Sequence, residues 1–273
     1  MHGKTVLQTR LAAILAWNAA LALAALAAAA PRAGAQPAGI KVTYLYDNTA
    51  AVPGVREDWG FACLVEAHGK RVLFDTGTKP DVLRHNAEAL RVDLGRLDAL
   101  VFSHDHTDHV GALPALGPRP GLPLFYAQGF NSAAIGAFRD TGARLVPVST
   151  STEVAPGIRT SDEFGTSIKE EALLVDSADG LVVIVGCAHP GIVRMLTAIK
   201  ASTGRPIHLV AGGFHLVQTP SDDVRQIISA MQGLGVGRVG ATHCTGPDAI
   251  KLFTEAFGDR YIAGGVGTVV TAR

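Results

Sequence analysis

Short apolar runs recur along the chain, some with the spacing of strands and some with that of helices. Ile40 to Tyr46 reads as a first strand. Gly60 to Glu66 and Arg71 to Asp75 are two strand-like runs joined by Ala67-His68-Gly69-Lys70, a hairpin signature. Lys79 to Leu90 sets Val82, Leu83, Ala87 and Leu90 at helical spacing. Ala99 to Phe102 reads as a short buried strand, and a helix-like segment beginning near Val110 is broken by Gly117-Pro118-Arg119-Pro120-Gly121. Pro123 to Ala127 and Arg144 to Val148 are further strands around a helix near Phe130 to Phe138.

The second half repeats this order. Ala172 to Asp176 and Leu181 to Gly186 form a hairpin turning at Ser177-Ala178-Asp179-Gly180. A helix with Ile192, Met195, Leu196 and Ile199 on one face follows. Ile207 to Ala211 and Arg238 to Ala241 are strands. Ser221 can cap the helix between them, with Asp222 and Asp223 in its first turn. A helix to Phe257 and a strand near Gly267 to Thr271 close the chain. Hairpins first and strand–helix units after them predict an α/β fold: two mixed β-sheets packed together with helices outside, a four-layer αββα sandwich.

The first 35 residues stand apart. Lys4 and Arg10 precede an Ala/Leu run from Leu11 to Ala30, and Ala33-Gly34-Ala35 offers a small-residue cleavage triplet. This reads as a secretory signal cut after Ala35, with an uncleaved membrane anchor as the other possibility. The expected mature chain is then a single domain over residues 36–273, periplasmic or secreted and not stably inserted in a membrane. Cleavage takes Lys4, Arg10 and Arg32 and no acid from 24 basic and 24 acidic residues, leaving 21 and 24. A mildly acidic chain gives no support for a nucleic-acid partner. The three cysteines, Cys63, Cys187 and Cys244, exclude a disulfide scaffold.

Candidate chemistry concentrates where apolar strands end: Asp75, the stretch Ser103-His104-Asp105-His106-Thr107-Asp108-His109, Cys187 and His189, His215, and His243. Imidazole and carboxylate suit zinc and similar divalent ions. His104 and His106 lie two apart and point to one side of an extended segment, whereas Asp108 and His109 follow at the turn into a helix and can face a second position. One loop can therefore begin two adjacent metal sites, an arrangement used for hydrolysis.

These motifs, with Asp75-Thr76-Gly77 before them, resemble the metallo-β-lactamase superfamily. Gly186-Cys187-Ala188-His189-Pro190-Gly191-Ile192, Gly212-Gly213-Phe214-His215-Leu216 and Thr242-His243-Cys244-Thr245-Gly246 resemble its dihydropterin–ribofuranosylaminobenzene phosphate synthase branch. The resemblance implies that His104, His106 and His189 bind a first ion and that Asp108, His109 and His243 bind a second. Two Zn(II) per chain are expected, with Mn or Fe as alternatives. Asp75 is implied as the acceptor orienting a ligand imidazole. Where many members have a Gly-Asp whose carboxylate bridges the ions, this chain has Gly186-Cys187, and no histidine lies between His109 and His189. Either His189 supplies an imidazole from a shifted position, or the Cys187 thiolate replaces the aspartate; Cys187 can also be inert. Cys244, facing away from His243 on an extended segment, is expected as a packed thiol. His215 follows a Gly-Gly, where backbone can approach a substrate, and its imidazole can assist a leaving group. Gly264, Gly265 and Gly267 offer an anion-binding turn or a bend in the last strand.

The expected activity is metal-dependent hydrolysis of a small ester-type substrate, a phosphoester, lactone or related compound, by a metal-bound hydroxide. Asp108 would hold the hydroxide, with His215 at the leaving group. The alternatives are a condensing enzyme like the pterin branch and a non-catalytic periplasmic metal- or ligand-binding protein.

Overall fold

The computed structural model describes residues 39–273, which lie within one compact unit; the signal segment read over residues 1–35 lies outside the described residues. Among the described residues, thirteen strands form two sheets. The first half builds the seven-stranded sheet from β1 (Ile40–Tyr46), β2 (Ala62–Ala67), β3 (Lys70–Phe74), β4 (Ala99–Phe102), β5 (Pro123–Ala127) and β6 (Arg144–Val148). The last strand, β13 (Val269–Ala272), returns to pair with β1, so the order is β13-β1-β2-β3-β4-β5-β6. The six-stranded sheet runs β12-β11-β10-β9-β8-β7, from β7 (Glu153–Ala155), β8 (Ile158–Thr160), β9 (Leu173–Ser177), β10 (Gly180–Val185), β11 (Ile207–Gly213) and β12 (Arg238–Thr242). Both sheets are mixed, with β3–β6 parallel in one and β10–β12 parallel in the other.

The strands are apolar nearly throughout because both faces are covered. Side chains alternate between two cores. Val72 and Phe74 of β3 and Val182 and Ile184 of β10 meet between the sheets. Leu73 points instead to the outer layer of α1 (Pro80–Ala89) and α3 (Ser132–Asp140). Leu181, Val183 and Val185 point to the opposite outer layer, formed by α4 (Ile192–Thr203), α5 (Ser221–Gly233) and α6 (Pro247–Phe257). This is the expected αββα sandwich.

Four details differ from expectation. The helix near Val110 is a single turn, α2 (Thr107–Val110), followed by a separate 3-10 turn at Leu113–Leu116. β7 and β8, three residues each, occupy a stretch with no alternation long enough to read. Ser221 makes no capping bond; Pro220 takes the N-cap position of α5. Gly265 donates its N–H to Asp47 Oδ2 at 2.9 Å, so this glycine cluster closes on an internal carboxylate and offers no anion-binding turn. Among the described residues no helix is long and apolar enough to cross a membrane.

Candidate metal centre

The C-terminal ends of the parallel strands in both sheets converge on one point. β3 delivers Asp75, β4 delivers Ser103–His109, β10 delivers Cys187–His189, β11 delivers His215, and β12 delivers His243. Asp75, Ala188, His215 and His243 all have positive φ, between 51° and 56°. Non-glycine residues in this region carry a conformational cost and persist only where surrounding contacts impose them. Here each such residue sits where a strand is turned toward the common centre.

Hydrogen bonds fix three of the imidazoles. Ser103 Oγ donates its one proton to Asp75 Oδ2 at 2.7 Å, so it accepts from His104 Nδ1 at 2.9 Å. His109 Nδ1 donates to Asp75 Oδ2 at 2.7 Å, and Asp75 Oδ1 accepts from the Ser103 amide. His243 Nδ1 donates to Asn48 Oδ1 at 3.0 Å, an oxygen that also accepts from the Gly60 amide. With Nδ1 engaged outward, each Nε2 faces the centre, the tautomer and orientation that a metal ligand requires. Asp75 thus orients the His109 imidazole directly and that of His104 through Ser103. Asn48 was not foreseen, because nothing local in the sequence distinguishes it from any other loop asparagine.

The inward atoms form two adjoining groups. Asp108, His109, Cys187 and His243 bring ligand atoms within 4.8 Å of one another, as do His104, Cys187 and His189, and a third cluster of Cys187, His215 and Cys244 adjoins both. His104 Nε2 and His189 Nε2 are 3.2 Å apart. His106 stands beside them, its ring 4.7 Å from His104 and 4.8 Å from His189, without joining that tight group. His243 Nε2 is buried and has no hydrogen-bond partner; Asp108 Oδ2 is 3.3 Å away but out of line. A buried imidazole nitrogen left without a partner, beside a carboxylate and a thiol, fits a divalent cation.

Cys187 is shared by both groups, with Sγ 3.2 Å from His109 Nε2. It is thus brought into the centre together with His189. Cys244 is not set behind the site. His243–Thr245 is a 3-10 turn, not extended chain, and it carries Cys244 Sγ to 3.1 Å from Cys187 Sγ. The thiols are too close to ionise together, and burial with the neighbouring Cys244 pushes Cys187 up. His215 is exposed, its ring 4.2 Å from that of His189, and its amide donates to Cys244 Sγ. The Gly-Gly before it serves internal packing: a Cβ on Gly213 would lie 2.6 Å from both Cys244 Sγ and the Gly186 carbonyl.

The electrostatics divide the imidazoles. Burial, with His109 and His189 nearby, holds His104 well below its ordinary value. Burial and His215 hold His189 down at about 3. Burial also pulls on His109, but Asp75 and Asp108 outweigh it and carry that group up to about 9. Asp108 is raised by burial and lowered more by His243 and His109, so it stays ionised. Glu170, absent from the sequence reading, accepts from the amides of Cys187, Ala188 and His189 at 2.7–2.9 Å and so clamps the turn that carries two of the inward groups.

The family profile described as the metallo-beta-lactamase superfamily matches residues 60–194, a span containing the Ser103–His109 loop and the Cys187–His189 turn. Tm1679, a metal-dependent hydrolase of that superfamily, superposes with a TM-score of 0.71 at 26% identity, over 85% of this chain and 98% of its own. The chain belongs to the metallo-β-lactamase superfamily. Within it, a Methanocaldococcus jannaschii 7,8-dihydropterin-6-methyl-4-(beta-D-ribofuranosyl)-aminobenzene-5'-phosphate synthase is 28% identical, over 72% of this chain and 83% of its own. The short form of human tRNase Z shares the fold, with a TM-score of 0.58 at 14% identity over 85% of this chain and 99% of its own.

Proposed function

We propose that this superfamily member is a metal-dependent hydrolase of small ester-type substrates, with phosphoesters and lactones as the leading classes, and that two divalent ions, zinc first among the candidates, occupy its centre. The observation that carries the reading is the pair of adjoining donor groups with three Nε2 atoms directed inward, one of them buried without a partner. His104, His106 and His189 would hold one ion, and Asp108, His109 and His243 the other, with Cys187 between them. Ions held there would lower the pKa of a water and polarise the substrate's carbonyl or phosphoryl oxygen.

The chain's own groups supply the rest. Asp108, ionised, can accept a proton from the attacking water at its carboxylate. His215, exposed beside His189, has its pKa raised mainly by Cys244 and can donate from its ring to a leaving oxygen. Asp75 keeps His109 aligned throughout. We extend the proposal to residues 1–35 as a cleaved secretory leader, with the enzyme acting outside the cytoplasm on a small molecule.

Metal analysis and turnover on phosphodiester, lactone and thioester chromogenic substrates test this. The wild type is expected to retain about two ions per chain and to hydrolyse at least one class, while His109→Ala and His243→Ala lose metal and turnover together. Full metal and full turnover in either variant would overturn the assignment. Bound metal without turnover on any class would favour a binding protein. The identity to the M. jannaschii synthase supports a second reading, a condensing enzyme acting on a pterin-like partner; product analysis with such substrates distinguishes joining from hydrolysis.

A further inference from the structure

The loop between β1 and β2 holds an aromatic residue in an unusual position. Trp59 is 52% exposed, and among the described residues it is the only aromatic among the exposed large apolar side chains. Isolated exposed apolar residues are common and carry no message by themselves. Trp59 differs in how it is held and in what it touches. Its indole Nε1–H donates to Asp108 Oδ2 at 2.9 Å. Its ring lies 5.1 Å from that of His243, tilted by 52°.

The backbone around it is tied on every side. The Asp58 amide donates to the Asp47 carbonyl, and the Asp58 carboxylate accepts from Lys79 Nζ at 2.9 Å and from the Tyr46 hydroxyl. The Trp59 carbonyl accepts from Thr78 Oγ1, the Gly60 amide donates to Asn48 Oδ1, and the Phe61 amide donates to the Asp108 carbonyl. Gly60 has φ +148°, and a Cβ there would lie 2.7 Å from the Asp108 carbonyl. The indole is therefore presented by a fixed strap anchored to the metal loop itself. Its polar edge is engaged, one part of its ring leans on His243, and the remaining surface is open beside Asp108.

We infer that Trp59 is a specificity-determining residue whose open indole surface stacks on a planar aromatic or heteroaromatic part of the substrate, laying the adjoining anionic group against the Asp108–His243 side of the centre. This rests on the proposed metal-dependent reading. An aromatic pair contributes modestly beyond its buried area, corresponding to a preference of about three- to tenfold for an aromatic over a matched aliphatic ligand.

Calorimetric titration of zinc-loaded full-length protein with 1-naphthylphosphonate, phenylphosphonate and cyclohexylphosphonate tests the inference, with zinc content measured in parallel. The wild type is expected to bind both arylphosphonates at least threefold more tightly than cyclohexylphosphonate. Trp59→Phe should keep most of that preference, because the aromatic face remains although the N–H is lost. Trp59→Leu and Trp59→Ala should bring the ratio close to one. The chain's two tryptophans are Trp17 and Trp59, so in a Trp17→Phe background naphthylphosphonate should quench the remaining fluorescence. An equal aryl and cyclohexyl affinity in the wild type, or an aryl preference unchanged in Trp59→Leu with zinc retained, overturns the inference alone. A wild type that retains no zinc overturns the underlying metal-centre reading.

Discussion

Asp75 shows how much one buried carboxylate can organise. Its two oxygens take the Ser103 amide, the Ser103 hydroxyl and His109 Nδ1, all at 2.7 Å, and through Ser103 it also sets the tautomer of His104. One side chain thereby aligns an imidazole in each donor group. Asp75→Asn keeps the shape but puts a donor or a neutral acceptor where a charged acceptor stood. Metal affinity should fall about 10- to 100-fold, read by competition with a chromogenic chelator, with the fold retained by circular dichroism. Asp75 was legible beforehand because it ends a readable strand just ahead of a histidine-rich loop. Asn48 and Trp59 were not, since their partners His243 and Asp108 lie 195 and 49 residues away and only the packed loop brings them together.

At the scale of elements, the turn after β10 is the least regular part of the centre and depends on Glu170. Three consecutive amides on one buried carboxylate favour its charged form, but burial outweighs them and raises the group to about 7. A carboxyl with a raised pKa keeps its proton in the folded state at pH values where the unfolded chain has released it. Its contribution to stability is therefore full below about pH 4.5 and declines as pH rises to about 7, by up to about 1.4 kcal/mol per pH unit. The depressed imidazoles His104 and His189 act in the opposite sense, so the comparison must be made between wild type and Glu170→Gln. In denaturant unfolding of metal-free protein from pH 4.5 to 7, the variant should lack this decline. Equal pH slopes in the two proteins would count against it. The hairpins that precede this turn, β2–β3 and β9–β10, were legible from apolar runs and Gly-containing turns. β7 and β8 were not, because three residues are too few to establish a period.

Across the whole molecule, the donor groups draw on both sheets: His104, Asp108 and His109 come from the first, and Cys187, His189 and His243 from the second. An ion bound by these groups ties the two halves of the sandwich, and its binding free energy adds to the stability of the folded state. At a free zinc concentration 100 times the dissociation constant, that addition is about 2.7 kcal/mol, which for a chain of this size raises Tm by about 5–10 °C. Scanning calorimetry with and without a chelator should show this shift in the wild type. It should be smaller in His243→Ala, which keeps the His104, His106 and His189 set and whose own metal-free Tm provides the reference.

The sequence by itself determined most of the elements and the presence of a loop rich in candidate metal donors. Those features are written locally, as runs of apolar residues and as four donor residues within six positions, from His104 to His109. It also carried the superfamily resemblance, because the later motifs each fall at the end of a readable strand. Only the tertiary structure decided which groups meet. The packing of one sheet on the other sets His104 against His189, 85 residues apart. A 3-10 turn, where extended chain was expected, turns Cys244 toward Cys187. Glu170, Asn48 and Trp59 gain their roles from hydrogen bonds across the fold, whose partners no local pattern of hydrophobic and polar residues specifies.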